Sequence, residues 1–542
     1  MFLAVHNNFC NFFSCHHKLR FWAQRYRSKR LQKIRGLPEA YVKIIVWLIL
    51  LAMCSMSQIY AKIKNDTTVV VQPDVNRILR NPLSGWVIYA SMSKDASEFW
   101  NEYDHMYVPD LKKEVKLSDY AHTLYIRASW TDFNPNDGEY GWITNSNLKA
   151  YIDGAYKRNM RLAFRIVVDS RDKASEFTPQ FVRNAGAKGF ISRGKWSPYP
   201  DDPIFQKYYT KFVKALGKEF NDPKKMEFID GFGLGKWGEY HTLLYSTGDE
   251  NPKKAVFDWV TKLYSNTFDK VPVIINYHRW IGTGKDWVDD EHYDIDSESM
   301  LEEAIAKGYS LRHDAFGMTT YYGSWERKFA EKYRYVRPII MEGGWIVKAH
   351  HSFWKDPRGY KNPRDVRQGE YDDSKEAHVN MMDLRFGGET SSWINDAFDL
   401  VQQFLKEGGY RLYPSSVSLP LIVNSDRYVK IEHVWQNVGW GYCPTNIPQW
   451  NQKYKVAFAL LDLKNNVKYS FVDDNTDLSK WIKEQPTKYV FTPDLSRVKR
   501  GNYVWAVGVI DKTNDNKIGL ELSVDEGVLV NGWLKLNNVE FK

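Results

Sequence analysis

Eight short apolar runs, separated by segments with helical periodicity, fill residues 75–413 and constrain the fold more than any other feature. A short apolar run is typical of a strand that is buried on both faces, as in a parallel sheet. Strands that alternate with helices form such a sheet, and eight of them close into a barrel. The sequence therefore predicts an α/β fold with a (β/α)8 TIM barrel. The predicted strands are Trp86–Tyr89, His122–Arg127, Arg161–Asp169, Phe228–Leu234, Val271–Tyr277, Ala315–Tyr321, Ile339–Glu342 and His378–Phe386.

The pattern changes after Pro414, where short alternating segments follow one another without a helix of any length. Alternation with Asn, Asp, Gly and Pro clusters between the segments is typical of an antiparallel β-sandwich. The predicted organisation is a basic extension plus signal peptide (1–61), a linker (62–74), the barrel (75–413) and a C-terminal β-sandwich (414–542).

Two of the predicted strands end close to a glutamate. Strand Ile339–Glu342 ends in Glu342 and continues as Gly-Gly-Trp, and strand Phe228–Leu234 leads to Glu239. Barrels of this type place their catalytic groups at the C-terminal ends of the strands. A retaining glycoside hydrolase needs two carboxyl groups about 5–5.5 Å apart, one as nucleophile and one as acid and then base. Because the Glu-Gly-Gly-Trp pattern has no evident structural purpose, we predict that both glutamates face one sugar-binding cleft.

The loop between Trp130 and Trp142 contains Phe-Asn-Pro and Gly-Glu-Tyr. It is similar to the W-x-x-x-E-P-x-x-G-x-Y-x-W loop of β-galactosidase-like and xylanase-like members of clan GH-A, the retaining (β/α)8 glycosidases that carry a catalytic Glu after strands four and seven. The opening Asn81–Trp86 and the C-terminal segment resemble a group of secreted Bacteroidetes proteins that join such a barrel to a β-sandwich. The resemblance covers about residues 75–540, and its motifs are short.

This resemblance implies roles for four residues. Glu239 is expected to be the acid/base and Glu342 the nucleophile, with Tyr321 beside the nucleophile and Arg127 supporting it electrostatically. The chain departs from the clan at Gly238, where an Asn usually precedes the acid/base and holds the sugar 2-hydroxyl. A second departure is an Asn at position 134 in place of the Glu of the loop motif.

The chain contains 21 Trp, a clear excess, and aromatic faces stack on the C–H faces of sugars. Each candidate also has a structural alternative, since a tryptophan can fill the core and Asp169 can pair with a surface neighbour.

Glu389, in a Phe-Gly-Gly-Glu stretch after the eighth predicted strand, is the alternative to Glu342. Asn276 and His278 are the candidates to replace the missing amide. The residues predicted to bind substrate are Arg127, Trp130, Asp169, Trp237, His241, Asn276, His278, Tyr321, Trp345 and Glu389.

The net charge of +9 is concentrated at the N-terminus, because residues 1–61 contain nine Lys and Arg and a single Glu. The nearly neutral remainder gives no support to a nucleic-acid partner. The basic segment precedes a short apolar core and the small residue Ala61, which is typical of an export signal. We therefore expect a secreted or periplasmic protein. A membrane anchor, or a lipid on Cys54 as in an outer-membrane lipoprotein of a Gram-negative bacterium, is the alternative.

Only Cys443 lies outside the predicted signal segment, so no intramolecular disulfide or cysteine metal site is expected. No histidine spacing suggests a metal, and no cofactor is expected. The predicted partner is a carbohydrate substrate, and contact with a membrane is expected only through the signal or a lipid anchor.

The sequence thus predicts a glycoside hydrolase that acts on a poly- or oligosaccharide by a two-carboxylate retaining mechanism. The alternative is a non-catalytic carbohydrate-binding protein on a degenerate glycosidase barrel, which Gly238 favours. A third reading is an inverting enzyme that uses Asp169 or Glu389, with carboxyl groups about 6.5–9.5 Å apart.

Overall fold

The computed structural model describes residues 66–170, 175–286, 292–346, 355–424 and 427–542. The predicted signal segment, residues 1–61, lies outside these described residues. Residues 68–542 form one compact unit. None of the helices in the described ranges has the length and apolar character needed to cross a bilayer.

A closed barrel of eight parallel strands forms the first part of this unit. Each strand pairs with its neighbour in chain order, and the eighth pairs with the first through Met382 and Trp86. The predicted fold class, a TIM barrel followed by antiparallel sheets, is confirmed. The eight barrel strands, numbered one to eight below, are Gly85–Ala90, Ala121–Ser129, Arg161–Val167, Met226–Asp230, Val273–Asn276, Ser310–Phe316, Ile339–Gly343 and Met381–Asp383.

Strand six is where the structure differs most from the sequence prediction. The strand is Ser310–Phe316, whereas the sequence pattern placed it at Ala315–Tyr321. Its centre carries Arg312 and Asp314, both of which are buried. Because buried strand positions are usually apolar, these two charged residues interrupt the pattern by which the other strands were predicted. The pairing with strand seven is irregular between His313 and Phe316, and Ala315 has a φ of 59°. This bulge ends the regular ladder just after Asp314.

Helices cover the outside of the barrel, and their apolar faces pack against the outward side chains of the strands. Helix Pro203–Phe220 shows how the sequence sets its limits: Asp202 caps the first backbone N–H groups and Pro203 occupies the first helical position. The helices are Ala96–Asp104, Trp130–Phe133, Gly141–Thr144, Ser146–Lys157, Gln180–Asn184, Pro203–Phe220, Lys253–Thr267, Ser297–Ala306, Ser324–Tyr333, Pro363–Glu376, Gly388–Asp396 and Phe398–Glu407.

Two sheets form the C-terminal sandwich, and their strands are antiparallel except for the parallel pairing of Ile422–Val423 with Trp533–Phe541. The first contains Leu412–Pro420, Ile431–Asn437 and Thr487–Phe491 in that order. The second contains Ile422–Val423, Trp533–Phe541, Gly501–Asp511, Tyr454–Leu461 and Val467–Asp473, with Lys517–Leu520 and Leu529–Val530 at its side. The remaining strands are Asp66–Val70 and two hairpins, Met106–Val108 with Lys113–Val115 and Gly189–Ser192 with Lys195–Pro198.

The barrel and the sandwich share one hydrophobic cluster. Inward-facing barrel residues such as Phe228 and Ile274 belong to the same cluster as Trp435 and Trp481 of the sandwich. The two tryptophans stack with their ring centroids 4.8 Å apart. The lower interior of the barrel is therefore apolar, and the polar interior lies towards the C-terminal ends of the strands.

Candidate active site

Glu239 and Glu342 converge on one arginine at the C-terminal end of the barrel. Glu342 is the next-to-last residue of strand seven, and Glu239 follows the short 3-10 turn Lys236–Gly238 after strand four. Arg165 Nη1 lies 3.1 Å from Glu239 Oε1 and 3.8 Å from Glu342 Oε2. Because one nitrogen contacts both, the two oxygens lie within about 7 Å of each other. The separation of about 5–5.5 Å that a retaining mechanism needs lies below this upper limit.

Two buried arginines hold the carboxylates of the site in place. Arg165, on strand three, also contacts Asp230 Oδ2 through Nε at 2.7 Å. Arg312, on strand six, donates through one nitrogen, Nη2, to Glu342 Oε2 at 2.6 Å and to Asp383 Oδ2 at 3.1 Å. Charges buried this deeply are stable only when they are paired, so the arginines and carboxylates form one interdependent network.

Asp314 is the carboxyl partner of Glu239. Its Oδ2 lies 3.2 Å from the same Arg165 nitrogen, and its side chain hydrogen-bonds to that of Glu239. Two carboxyl groups hydrogen-bond to each other only when one of them carries a proton. Burial raises the pKa of Asp314, Arg165 opposes this rise, and the charge of Glu239 adds to it. The pair is therefore built to hold a proton.

Asp383 has the corresponding position beside Glu342. Burial raises the pKa of Asp383 to about 7, the ion pair with Arg312 opposes the rise, and the nearby charge of Glu342 adds to it. The cost of burial exceeds the gain from the ion pair here. When Asp383 is protonated, Glu342 is the carboxylate that pairs with Arg312 Nη2.

Two buried histidines contact Glu239. His241 Nε2 lies 3.4 Å from Glu239 Oε2, and its Nδ1 lies 3.6 Å from a carboxylate oxygen of Asp286. His278 contacts the backbone instead: its Nε2 donates to the carbonyl oxygen of Glu239 at 2.8 Å, and its Nδ1 accepts from the amide of Trp280 at 3.1 Å. Burial lowers the pKa of His278 well below its ordinary value, which keeps the ring neutral. His278 thus orients the loop that carries Glu239.

The loop after strand four contains several residues in left-handed backbone conformations. Gly235 and Gly238 have φ values of 74° and 76°, and Trp237 between them has a φ of 59°. Such a conformation is costly for a bulky side chain such as that of tryptophan. An added Cβ on Gly238 would make only ordinary van der Waals contacts, 3.4 Å from Val167 Cγ2 and 3.5 Å from Arg165 Cδ. The positive φ at this position, and not crowding, therefore favours glycine.

The two glycines after Glu342 have a packing reason, which corrects the argument drawn from the sequence. An added Cβ on Gly343 would lie 3.0 Å from Glu370 Oε1, and one on Gly344 would lie 2.5 Å from Met318 Cγ. The close approach of neighbouring side chains thus explains the Gly-Gly pair without catalysis. The ion pairs of Glu342, and not the glycines, distinguish this strand end.

Trp130 was predicted to bind substrate, and the structure contradicts this. Its side chain is 0% exposed and lies in the helical layer. Its ring contacts those of Phe205 and Tyr209 edge to face, at centroid distances of 6.0 and 5.2 Å. The residue begins a short helix whose inward face is apolar, so it packs in the core instead of facing the barrel mouth.

Tyr321 does not end strand six, because that strand ends at Phe316. It is buried and makes an edge contact with Trp345, at a centroid distance of 5.0 Å. Asp314 is the strand-six side chain that joins the carboxylates. Trp345 itself is half-buried, and the Arg385 guanidinium lies 5.1 Å from the centroid of its ring. The same arginine reaches Glu342 Oε1 at 3.5 Å.

Glu389, the sequence rival of Glu342, holds a loop in place. Its two carboxylate oxygens accept from the amide of Ile346 at 3.0 Å, and Arg367 pairs with it. These contacts tie helix Gly388–Asp396 to the segment after strand seven. Glu389 therefore has a structural role that needs no ligand.

The remaining predicted residues lie at or near the strand ends. Arg127, on strand two, donates to the Tyr89 hydroxyl at 3.2 Å. Asp169 follows strand three and accepts from Ser197 Oγ at 3.0 Å. Asn276 ends strand five and donates through Nδ2 to an Asp314 oxygen at 3.3 Å, while its Oδ1 has no hydrogen-bond donor among the described residues.

The sequence prediction missed four charged residues of the site: Arg165, Arg312, Asp314 and Asp383. Each lies within a buried strand. The sequence signal that could have identified them was a charged residue at a strand position that is usually apolar. Such a charge is tolerated only with a partner of opposite sign close by. Two arginines and two aspartates on strands three, six and eight would have indicated an ionic network inside the barrel.

No protein-family model matches the sequence, and no curated protein matches it. Among solved structures, the chain is similar to the exo-β-1,4-mannosidase Op5Man5 from Opitutaceae bacterium strain TAV5, with 12% identity, a TM-score of 0.36 and coverage of 62% of each chain. The chain thus spans 62% of the length of that protein.

Two further solved structures are similar at the same level. The endo-β-1,4-mannanase from Thermotoga petrophila has 11% identity and a TM-score of 0.36, with 85% of this chain and 98% of that chain covered. Endo-glycoceramidase II from Rhodococcus sp. has 12% identity and a TM-score of 0.36, with 78% and 99% covered. All three of these solved structures are glycoside hydrolases.

Proposed function

We propose that this protein is a glycoside hydrolase that cleaves a poly- or oligosaccharide by a two-carboxylate retaining mechanism. One observation carries the proposal: glutamates from strand seven and from the loop after strand four share the Arg165 guanidinium at the C-terminal end of the barrel. This is the end at which barrels of this type build their active sites. The half-buried Trp237 and Trp345 supply aromatic surface beside the carboxylates.

Glu342 is the proposed nucleophile. Arg312 donates to its Oε2 at 2.6 Å, which holds the carboxylate in place and leaves Oε1 as the oxygen that attacks the sugar. Oε1 attacks the anomeric carbon and forms a glycosyl ester as the bond to the leaving oxygen breaks. Arg385, 3.5 Å from Oε1, stabilises the carboxylate again when water releases the sugar.

Glu239 is the proposed acid and base. Burial raises the pKa of Asp314, which hydrogen-bonds to Glu239 and can supply the proton that Glu239 delivers to the leaving oxygen in the first step. The pair is then fully ionised and is stabilised by Arg165, which contacts both carboxylates. In the second step Glu239 accepts a proton from the attacking water, which restores the starting state.

The proposal is tested by mass spectrometry after incubation with a panel of 2-fluoro glycosyl fluorides. These reagents form the glycosyl ester and release it slowly, so peptide mapping identifies the nucleophile and the reactive reagent identifies the sugar. We expect an adduct on Glu342, no adduct on the Glu342→Gln variant, and unchanged labelling of Glu298→Gln, which alters an exposed helical glutamate. An adduct on Glu389 or Asp169 would overturn the assignment of Glu342.

A second candidate function is carbohydrate binding without cleavage. It is favoured by the depth of the two carboxyl side chains, since Glu342 is 1% and Glu239 4% exposed, and both are engaged by buried arginines. Saturable glycan binding together with the absence of any adduct and of any released sugar would favour this candidate over the hydrolase.

A further inference from the structure

A cavity lies at the N-terminal ends of the barrel strands, against the sandwich and opposite the candidate active site. Its volume is about 480 Å³. The barrel contributes residues that begin or precede strands, among them Arg80, Arg161 and Met226. The sandwich contributes Trp450 and Lys453, among others. Junctions between domains are common places for ligand sites, and this cavity is separate from the carboxylates of the barrel mouth.

Four cationic side chains and two acidic side chains line this cavity. The cations are Arg80, Arg161, Lys224 and Lys453, and the acids are Glu227 and Asp511. Both acids already have hydrogen-bond donors. Glu227 accepts from Arg161 Nε and from the backbone amide of residue 83, and Asp511 Oδ1 accepts from the amide and hydroxyl of residue 513 at 2.8 and 2.6 Å. The cavity therefore has an excess of positive charge.

The cations, in contrast, have unused donors. Arg161 donates to Glu227 through Nε alone, and its buried Nη2 has no acceptor among the described residues. Arg80 donates through Nη2 to a carbonyl oxygen at 2.5 Å, and its buried Nη1 likewise has no acceptor in the described part of the chain. Lys453 Nζ lies 3.8 Å from Asp511 Oδ2, which is longer than a hydrogen bond. Buried charged donors of this kind require an acceptor, which water or an ion can supply.

We propose that this cavity is a binding site for a small oxyanion, either a free phosphate or sulfate or the carboxylate of an acidic sugar. The planar guanidinium groups of Arg80 and Arg161 match the paired oxygens of such a group, and the ammonium of Lys453 adds a third donor. Burial lowers the pKa of Lys453, and a bound anion opposes that shift by favouring the charged ammonium. The site does not depend on the hydrolase proposal, because none of its residues contacts Glu239 or Glu342.

The experiment uses the full chain in chloride buffer at constant ionic strength. Phosphate, sulfate and galacturonate are titrated by calorimetry and by thermal unfolding, with galactose as the neutral control. We expect saturable binding and a rise in Tm with at least one of the three anions. Arg80→Gln and Lys453→Met should each weaken the affinity by at least about tenfold, because each removes a charged donor. Lys480→Met, which removes an exposed lysine of the sandwich outside the cavity, should bind as the parent does.

The outcomes separate the possible sources of the anion. Binding of galacturonate alone assigns the site to acidic sugars, and binding of phosphate or sulfate alone assigns it to a free ion. No saturable binding of any of the three overturns the proposal. So does binding that Arg80→Gln and Lys453→Met leave unchanged, since the anion then binds elsewhere. Glu342→Gln should bind the anion normally, which keeps this result independent of catalysis.

Discussion

Each candidate catalytic glutamate shares one arginine nitrogen with an aspartate. Glu239 and Asp314 meet at Arg165 Nη1, and Glu342 and Asp383 meet at Arg312 Nη2. Two neighbouring carboxyl groups take up protons as a pair, because ionising one raises the pKa of the other. Because burial raises the pKa of both aspartates, they can hold protons beside the glutamates without touching a substrate.

Replacing Asp314 by Asn is expected to lower kcat/KM and to remove the alkaline limb that the ionisation of Asp314 produces. In the parent protein, burial raises the pKa of Asp314, so this carboxyl group keeps its proton beside Glu239 to higher pH than a free aspartate does. Asparagine has no acidic proton to supply. The profile is measured with an activated aryl glycoside that the protein cleaves, and Asp399→Asn at the surface is the control. A variant that keeps the alkaline limb of the parent would contradict the role of Asp314 as a proton source.

Asp383→Asn is expected to become more stable relative to the parent as the pH rises. The pKa of Asp383 is about 7 in the folded protein, above its ordinary value near 4, so the folded state holds this proton more tightly than the unfolded chain. Its contribution to stability is fully present below about pH 4 and is lost as the pH rises through 7. The difference in Tm, variant minus parent, should therefore increase between pH 4 and 7. A difference that does not change with pH would contradict the raised pKa.

At the scale of elements, the apolar pattern predicted the barrel but misplaced strand six. Strand seven is apolar up to its glutamate, and it was predicted nearly as it is. Strand six carries Arg312 and Asp314 inside the barrel, where charged partners on other strands pair with them. A local pattern contains no information on partners that are distant in sequence. The bounds of strand six and the roles of its charged residues were therefore not predicted. The sequence singled out Glu342 because strand seven is apolar up to it, and Glu239 because it follows an apolar run and a glycine-containing loop; their catalytic roles stay predictions.

Gly344→Ala is expected to destabilise the protein by about 1–3 kcal/mol and to reduce activity with it. The new Cβ would lie 2.5 Å from Met318 Cγ and 3.0 Å from the carbonyl oxygen of Phe316, so the segment after strand seven must shift. That segment directly follows Glu342 and its ion pairs. Chemical denaturation and kcat/KM are measured in parallel. Gly284→Ala is the control, because its nearest atom would lie 3.4 Å away, and an equal loss in both variants would contradict the packing argument.

At the scale of the whole molecule, the sandwich completes the base of the barrel. Tyr410 and Leu412, at the start of the sandwich, belong to the same buried cluster as the inward-facing Phe228 and Ile274. The Tyr410 hydroxyl donates to the carbonyl oxygen of Pro82 at 2.6 Å, just before strand one. A core that is continuous between the two parts stabilises both, so neither part is expected to unfold alone.

This continuity predicts a single thermal transition in which the barrel and the sandwich unfold together. Trp435→Ala should lower the free energy of unfolding by about 3–5 kcal/mol, because Trp435 is fully buried, stacks on Trp481 and donates its indole N–H to His433. Trp435 is far along the chain from both glutamates. Even so, the temperature at which glycan binding or turnover is lost should fall by the same amount as the calorimetric Tm. Two separate transitions, with the site persisting after the sandwich has unfolded, would show that the barrel is stable without its base.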